Sequence, residues 1–129
     1  MKAGHVLGVV AVVGYLALEA VAAANARPRM EPDNIYLRLV EARVAADECG
    51  GVPAAQRTEF EAVLERVRAR ARAKLADAET APDSAGVDAA LWALTRSAEA
   101  GAARTLQAEG CDSADGRGLL RRHAIFARK

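Results

Sequence analysis

Phe60-Glu61-Ala62-Val63-Leu64-Glu65-Arg66-Val67-Arg68-Ala69-Arg70-Ala71-Arg72-Ala73-Lys74-Leu75 is the stretch on which the fold turns. Phe60, Val63, Leu64, Val67, Ala71, Leu75 and Ala78 fall at offsets of 3, 4, 7, 11, 15 and 18, a single apolar stripe at the period of an amphipathic α-helix. Charge fills the rest of the surface. Glu59, Glu61 and Glu65 come early and Arg66, Arg68, Arg70, Arg72 and Lys74 late, the order that complements the helix dipole. Pro53 suits the first turn, where its missing N–H costs nothing. The helix is predicted to end near Glu79, before Pro82.

Gly50-Gly51 stops a preceding helix that begins after Pro32 and Asp33 and carries Ile35, Tyr36, Leu39, Val40 and Ala46 as far as Cys49. Downstream, Asp83 or Ser84 can cap a third helix. Its inward face is predicted as Val87, Leu91, Leu94, Ala98, Gly101 and Thr105, with Trp92 at the margin packed over Ile35 and Tyr36. The small residues from Ala98 to Ala103 let a neighbouring helix approach closely. Gly110 ends this helix, and Asp112 with Asp115 opens a short fourth carrying Leu119, Leu120, His123 and Phe126. Gly116 and Gly118 weaken that start, each by up to about 1 kcal/mol relative to alanine.

No strand pattern, internal repeat or low-complexity linker interrupts the series. The expectation is an all-α protein: a small antiparallel bundle of three to four helices, dominated by a long hairpin of helices two and three. Short connections make consecutive helices antiparallel. The end of helix one and the end of helix three then lie at the same pole, and Cys49 meets Cys111. Helices two and three run about 26 residues, roughly 39 Å, against about 16 residues, roughly 24 Å, for one and four. The far end of the long hairpin is therefore expected to protrude.

Two cysteines in an exported chain read as one disulfide, and the first residues argue for export. After Lys2, an apolar run from Val6 to Leu18 is broken by Glu19. About thirteen residues rise roughly 20 Å as a helix, short of a hydrocarbon core of about 30 Å. Ala22-Ala23-Ala24-Asn25-Ala26 follows and offers small residues at a signal-peptidase site. Residues 1–26 are read as a secretory signal, cut after Ala26 or after Ala24, and residues 27–129 as a single helical domain, periplasmic or secreted. The alternative is an uncleaved membrane anchor through residues 6–24.

Eighteen Lys and Arg against seventeen Asp and Glu give a net charge of +1. Near-neutrality argues against a general nucleic-acid binder. There is no Cys-x-x-Cys, and too few His and Cys for a structural zinc site. No cofactor or metal is expected. His123 lacks triad partners at recognisable spacing and reads as a partly buried helix histidine. Glu61 and Glu65, one turn apart, read as solvated surface. The segment from Asp112 to Gly116 fails as a calcium loop, because Arg122 stands where the bidentate Glu belongs. No catalytic group is expected.

What remains is a possible interaction surface: Arg66, Arg68, Arg70, Arg72 and Lys74 as a broad basic face, with Trp92 as its aromatic neighbour. Arg66, Arg70 and Lys74 form one row and Arg68 and Arg72 another. The expected function is that of a non-enzymatic periplasmic binding or accessory protein, its partner an envelope protein or an anionic surface. A periplasmic acid-stress chaperone is the alternative.

Overall fold

The computed structural model describes residues 32–78 and 82–129. The expected signal, its expected cleavage sites and the alternative anchor lie outside the described residues. Four helices follow in order: α1 (Pro32–Cys49), α2 (Ala54–Ala76), α3 (Ser84–Glu109) and α4 (Ala114–Ala127). Among the described residues there is no strand. The protein is a small all-α bundle closed by the Cys49–Cys111 disulfide, with 5.8 Å between the two Cα atoms.

α1 is the hub. It touches α2, α3 and α4, and Tyr36, Leu39, Val40, Ala42, Ala45 and Ala46 are all buried. These positions lie around most of the helix circumference, as they must in a helix covered on several sides. Alanines at 42, 45 and 46 leave room for three neighbours. The main core joins Tyr36, Leu39, Val40, Phe60, Val63, Leu64, Ala71, Leu91 and Ala127. A second cluster of Ala45, Leu106 and Leu119 sits under the disulfide.

The turn between α1 and α2 needs its glycines: Gly50 and Gly51 have φ of 69° and 76°, a region that side chains with a Cβ avoid. Arg57 reaches back across this turn, donating to Asp47 Oδ1 at 2.8 Å and to the Ala46 carbonyl at 2.6 Å. It thereby places a cation at the negative, C-terminal end of α1, on a carbonyl that also accepts from the Gly50 N–H.

α2 ends at Ala76, earlier than the predicted Glu79. The Asp77 N–H closes it on the carbonyls of Ala73 and Lys74, which leaves Ala78 outside the helix and exposed. Asp83 caps α3, its side chain accepting from Gly86 N at 2.9 Å. Ser113, and not Asp112, caps α4 by accepting from Gly116 N at 3.0 Å, while its hydroxyl donates to the Gly110 carbonyl at 2.7 Å.

Gly116 turns out to be required rather than weakening. A Cβ there would lie 2.5 Å from the Cys111 carbonyl oxygen and 2.7 Å from that of Gly110. The missing side chain lets the cysteine-bearing turn fold onto the first turn of α4. Gly118 has nothing within 4 Å of such a Cβ.

The inward face of α3 is also corrected. Val87, Leu91, Ala102 and Leu106 are its buried residues, whereas Leu94 is 38% exposed. Between them Thr95 faces α1: the Tyr36 hydroxyl lies 2.9 Å from Thr95 Oγ1, which is 2.7 Å from the Leu91 carbonyl. Thr95 donates to Leu91 and accepts from Tyr36, so both hydroxyls are satisfied and α3 is pinned one residue round from the predicted stripe.

Candidate interaction surfaces

The arginine run does not form one face. The buried stripe of α2 passes between its two rows and sends them to opposite flanks, as the helix period dictates. Arg68 and Arg72 face α3, and Arg66 and Arg70 face the ends of α1 and α4.

On the α3 flank, cations meet acids. Arg72 donates to Asp88 Oδ1 at 2.7 Å and to Ser84 Oγ at 2.8 Å. This hydrogen bond, with the attraction behind it, holds the Asp88 carboxyl below its ordinary range and raises the guanidinium of Arg72. Arg68 stands 3.8 Å from Glu65, and Arg43 stands 3.8 Å from Glu61. Glu61 and Glu65 are thus surface carboxylates facing arginines.

Trp92 belongs to this flank and does not pack into the core as predicted: it is 67% exposed. Leu91 occupies the inward position, and Tyr36 is hydrogen-bonded to Thr95 beside it. The ring lies at the edge of a shallow cleft of about 180 Å³ shared with Tyr36, Arg43, Leu64, Glu65, Arg68 and Thr95. Arg96 approaches its face, with Cζ 5.8 Å from the centroid, within reach of a cation–π attraction.

On the other flank, Arg66 and Arg70 stand with Lys129 around a groove of about 310 Å³ floored by Ile35, Val63, Val67 and Phe126. No Asp or Glu lines it. Lys74, next in the row, does have an interaction partner. A third and larger cleft, about 710 Å³, opens between α1, α3 and α4. Its floor includes Leu94, Ala98, Gly101, Thr105 and Gly118, and Glu41, Asp115, Arg104 and Arg122 are among its lining residues. The small residues of α3 thus face an open cleft here.

His123 is more deeply placed than predicted, at 2% exposure. Its ring stacks on Phe60 with centroids 3.9 Å apart and planes 18° apart. Gln56 Nε2 lies 2.8 Å from Nδ1, so with the amide donating, the proton sits on Nε2 and the imidazole is neutral. Burial pushes the pKa down, Arg57 pushes it further, and Asp47 opposes. Among the described residues no nucleophile or carboxylate hydrogen-bonds to His123. Gln56 stands 67 residues away in sequence, and no local pattern announced it.

Among the described residues no group of three or more His, Cys, Asp or Glu could hold a metal ion, and no helix is long and apolar enough to cross a membrane. Asp112 to Gly116 forms the turn and cap of α4. Comparison with family models, curated proteins and solved structures finds no match to this chain.

Proposed function

We propose that the chain is a non-enzymatic, exported accessory protein that binds an envelope partner through its helical surface, with Trp92 and the flanking arginines at the contact. The observation that carries this reading is the exposure of Trp92 beside Arg68 and Arg96. Leaving an indole two-thirds in water forgoes stabilisation that burial would supply. Tryptophan and arginine are also the side chains most enriched where binding energy concentrates.

A photoreactive phenylalanine analogue in place of Trp92 tests it in the native envelope. One discrete adduct from position 92, absent when the analogue replaces the exposed Gln107, is expected. No adduct, or the same ladder from both positions, would defeat the assignment. Export is tested separately by intact mass. A chain beginning at Arg27 or Asn25, lighter by two hydrogens until reduced, supports it; a full-length chain with free thiols points to the anchored or unexported alternative.

A second reading, a chaperone that opens in acid, is favoured by one feature. The bundle buries a neutral histidine against the fully buried Phe60, and protonation there would place an unpaired charge in the core. It predicts new hydrophobic-dye binding and suppressed client aggregation at about pH 3, far below the ordinary imidazole range. An inert folded monomer under those conditions would sink it.

A further inference from the structure

We propose that the groove between α1, α2 and α4 is a binding site for a single-chain carboxylate amphiphile, the hydrocarbon lying on Ile35, Val63, Val67 and Phe126 and the head held by Arg66 and Arg70. The site is separate from the Trp92 flank and does not depend on it.

Three observations converge. First, the floor is recessed and the charges are outermost: Val63 is buried, Ile35, Val67 and Phe126 are half-buried, and Arg66, Arg70 and Lys129 are exposed. This is the arrangement of an amphiphile pocket, apolar within and polar at its mouth. A membrane-inserting surface would reverse it, presenting its apolar side chains foremost.

Second, the arginines of the two flanks differ in what they face. Among the described residues neither Arg66 nor Arg70 has a carboxylate within salt-bridge distance, whereas Arg68 and Arg72 on the opposite flank do. Arg66 and Arg70 stand one turn apart, and like charges at that spacing destabilise a helix. An anion between them would relieve the repulsion, and two guanidinium forks match a carboxylate's geometry.

Third, the floor side chains, Ile35, Val63, Val67 and Phe126, carry no hydrogen-bonding group. An extended peptide laid there would leave amides unpaired, and about 310 Å³ is too small to seat a helix about 10 Å across. A hydrocarbon chain has neither difficulty, and the volume falls at the lower end of small-molecule sites, about 300–1,000 Å³.

The test is calorimetric titration of the full chain with dodecanoate below its micellar concentration. Dodecanol and dodecyltrimethylammonium report on the head, and acetate on the tail. One-to-one binding of dodecanoate is expected, at least about tenfold tighter than any of the three controls. Reversing both cations (Arg66→Glu with Arg70→Glu) should weaken it at least about tenfold, about 1.4 kcal/mol or more. Val67→Trp, which fills the floor and keeps the cations, should do the same. Both variants are accepted only if their circular dichroism and thermal transitions match the parent.

Equal affinity for all three twelve-carbon probes, or none for any, would overturn the proposal. So would retention of dodecanoate binding in the double reversal. Binding to anionic-lipid vesicles without binding to free dodecanoate would reassign the surface to a membrane. Displacement of bound dodecanoate by an acidic peptide, with equal affinity of that peptide for the Val67→Trp variant, would reassign it to a protein.

Discussion

The two ends of the bundle are held by different means. At the disulfide end all four helices converge: Cys49 is bonded to Cys111, Arg57 caps α1, Gly116 admits the cysteine turn, and His123 is stacked on Phe60. At the other end Ala71 of α2 and Val87 and Leu91 of α3 are buried, and Arg72 is bonded to Asp88 and Ser84 across the exposed surface. One end depends on covalent closure and backbone fit, where small changes propagate. The other adds to a small buried contact a set of side-chain contacts in water, where single changes are absorbed. Substitutions ranked by expected effect test that division.

The largest effect belongs to the bridge. Replacing both cysteines by serine releases a loop spanning a separation of 62 residues. In the chain-entropy model this costs about 4 kcal/mol, a large share of a typical domain's stability of about 5–15 kcal/mol. Chemical denaturation of the two forms at neutral pH measures it. A loss under about 1 kcal/mol would mean that the four-helix junction is held by packing, and the contrast between the ends would shrink accordingly.

Next is the Phe60–His123 stack. His123→Ala at pH 7 opens a hole against a fully buried aromatic and leaves Gln56 without its partner, at a cost of about 3 kcal/mol. In the parent chain the effect of acid has a defined sign. The folded pKa lies below the ordinary imidazole value, so the unfolded chain takes the proton first. The contribution of neutral His123 is intact above the unfolded value of about 6.5 and is lost as pH falls through the lower folded value. At the same end Glu109 acts oppositely: the neighbouring Asp115 carboxyl raises its pKa, which favours the folded state as pH falls. Denaturation midpoints across this range for the parent and a His123→Phe variant isolate the histidine. The variant should lose the part of the acid-dependent fall that His123 supplies, while the part from Asp88, at lower pH, remains; identical slopes would show that the ring titrates as it does in the unfolded chain.

Glycine substitutions two residues apart sharpen the comparison within a single helix. Gly116→Ala must displace the backbone carbonyls of Cys111 and Gly110 and should destabilise by about 1–3 kcal/mol, as overpacking does. Gly118→Ala meets open space and should stabilise by up to about 1 kcal/mol through helix propensity. Thermal melts of the pair decide it by sign alone.

The sequence revealed most where signals were local and periodic. The stripe from Phe60 to Leu75, the stops at Gly50-Gly51 and Gly110, and the pairing of Cys49 with Cys111 were all legible, because helix period, glycine punctuation and short connections are local properties. The inward face of α3 was not. Alanine-rich stretches present nearly equal apolar character on several sides, and the choice fell to Thr95, through a hydrogen bond to a tyrosine 59 residues away. His123 was visible as a residue, but its depth depended on Gln56 and Phe60, which no neighbouring sequence names. The split of the arginines could have been found: Arg66 and Arg70 lie on one side of the apolar stripe and Arg68 and Arg72 on the other by helix period alone. Alternation along the chain disguised it.

The smallest expected effect is the most informative about the open end. Trp92→Ala should change stability by under about 0.5 kcal/mol, the behaviour of an exposed side chain, although loss of a buried tryptophan would cost about 3–5 kcal/mol. Phe60→Ala, at 0% exposure, supplies the buried-aromatic reference in the same molecule. The small value has to hold across protein concentration. If the loss from Trp92→Ala grows as the chain is concentrated, the ring is being covered by a second copy, since stability gained through association depends on concentration. If the loss is large at every dilution, Trp92 is covered within the monomer and the proposed contact surface loses its anchor. If it stays small throughout, the hairpin end holds an indole in water without needing it for folding.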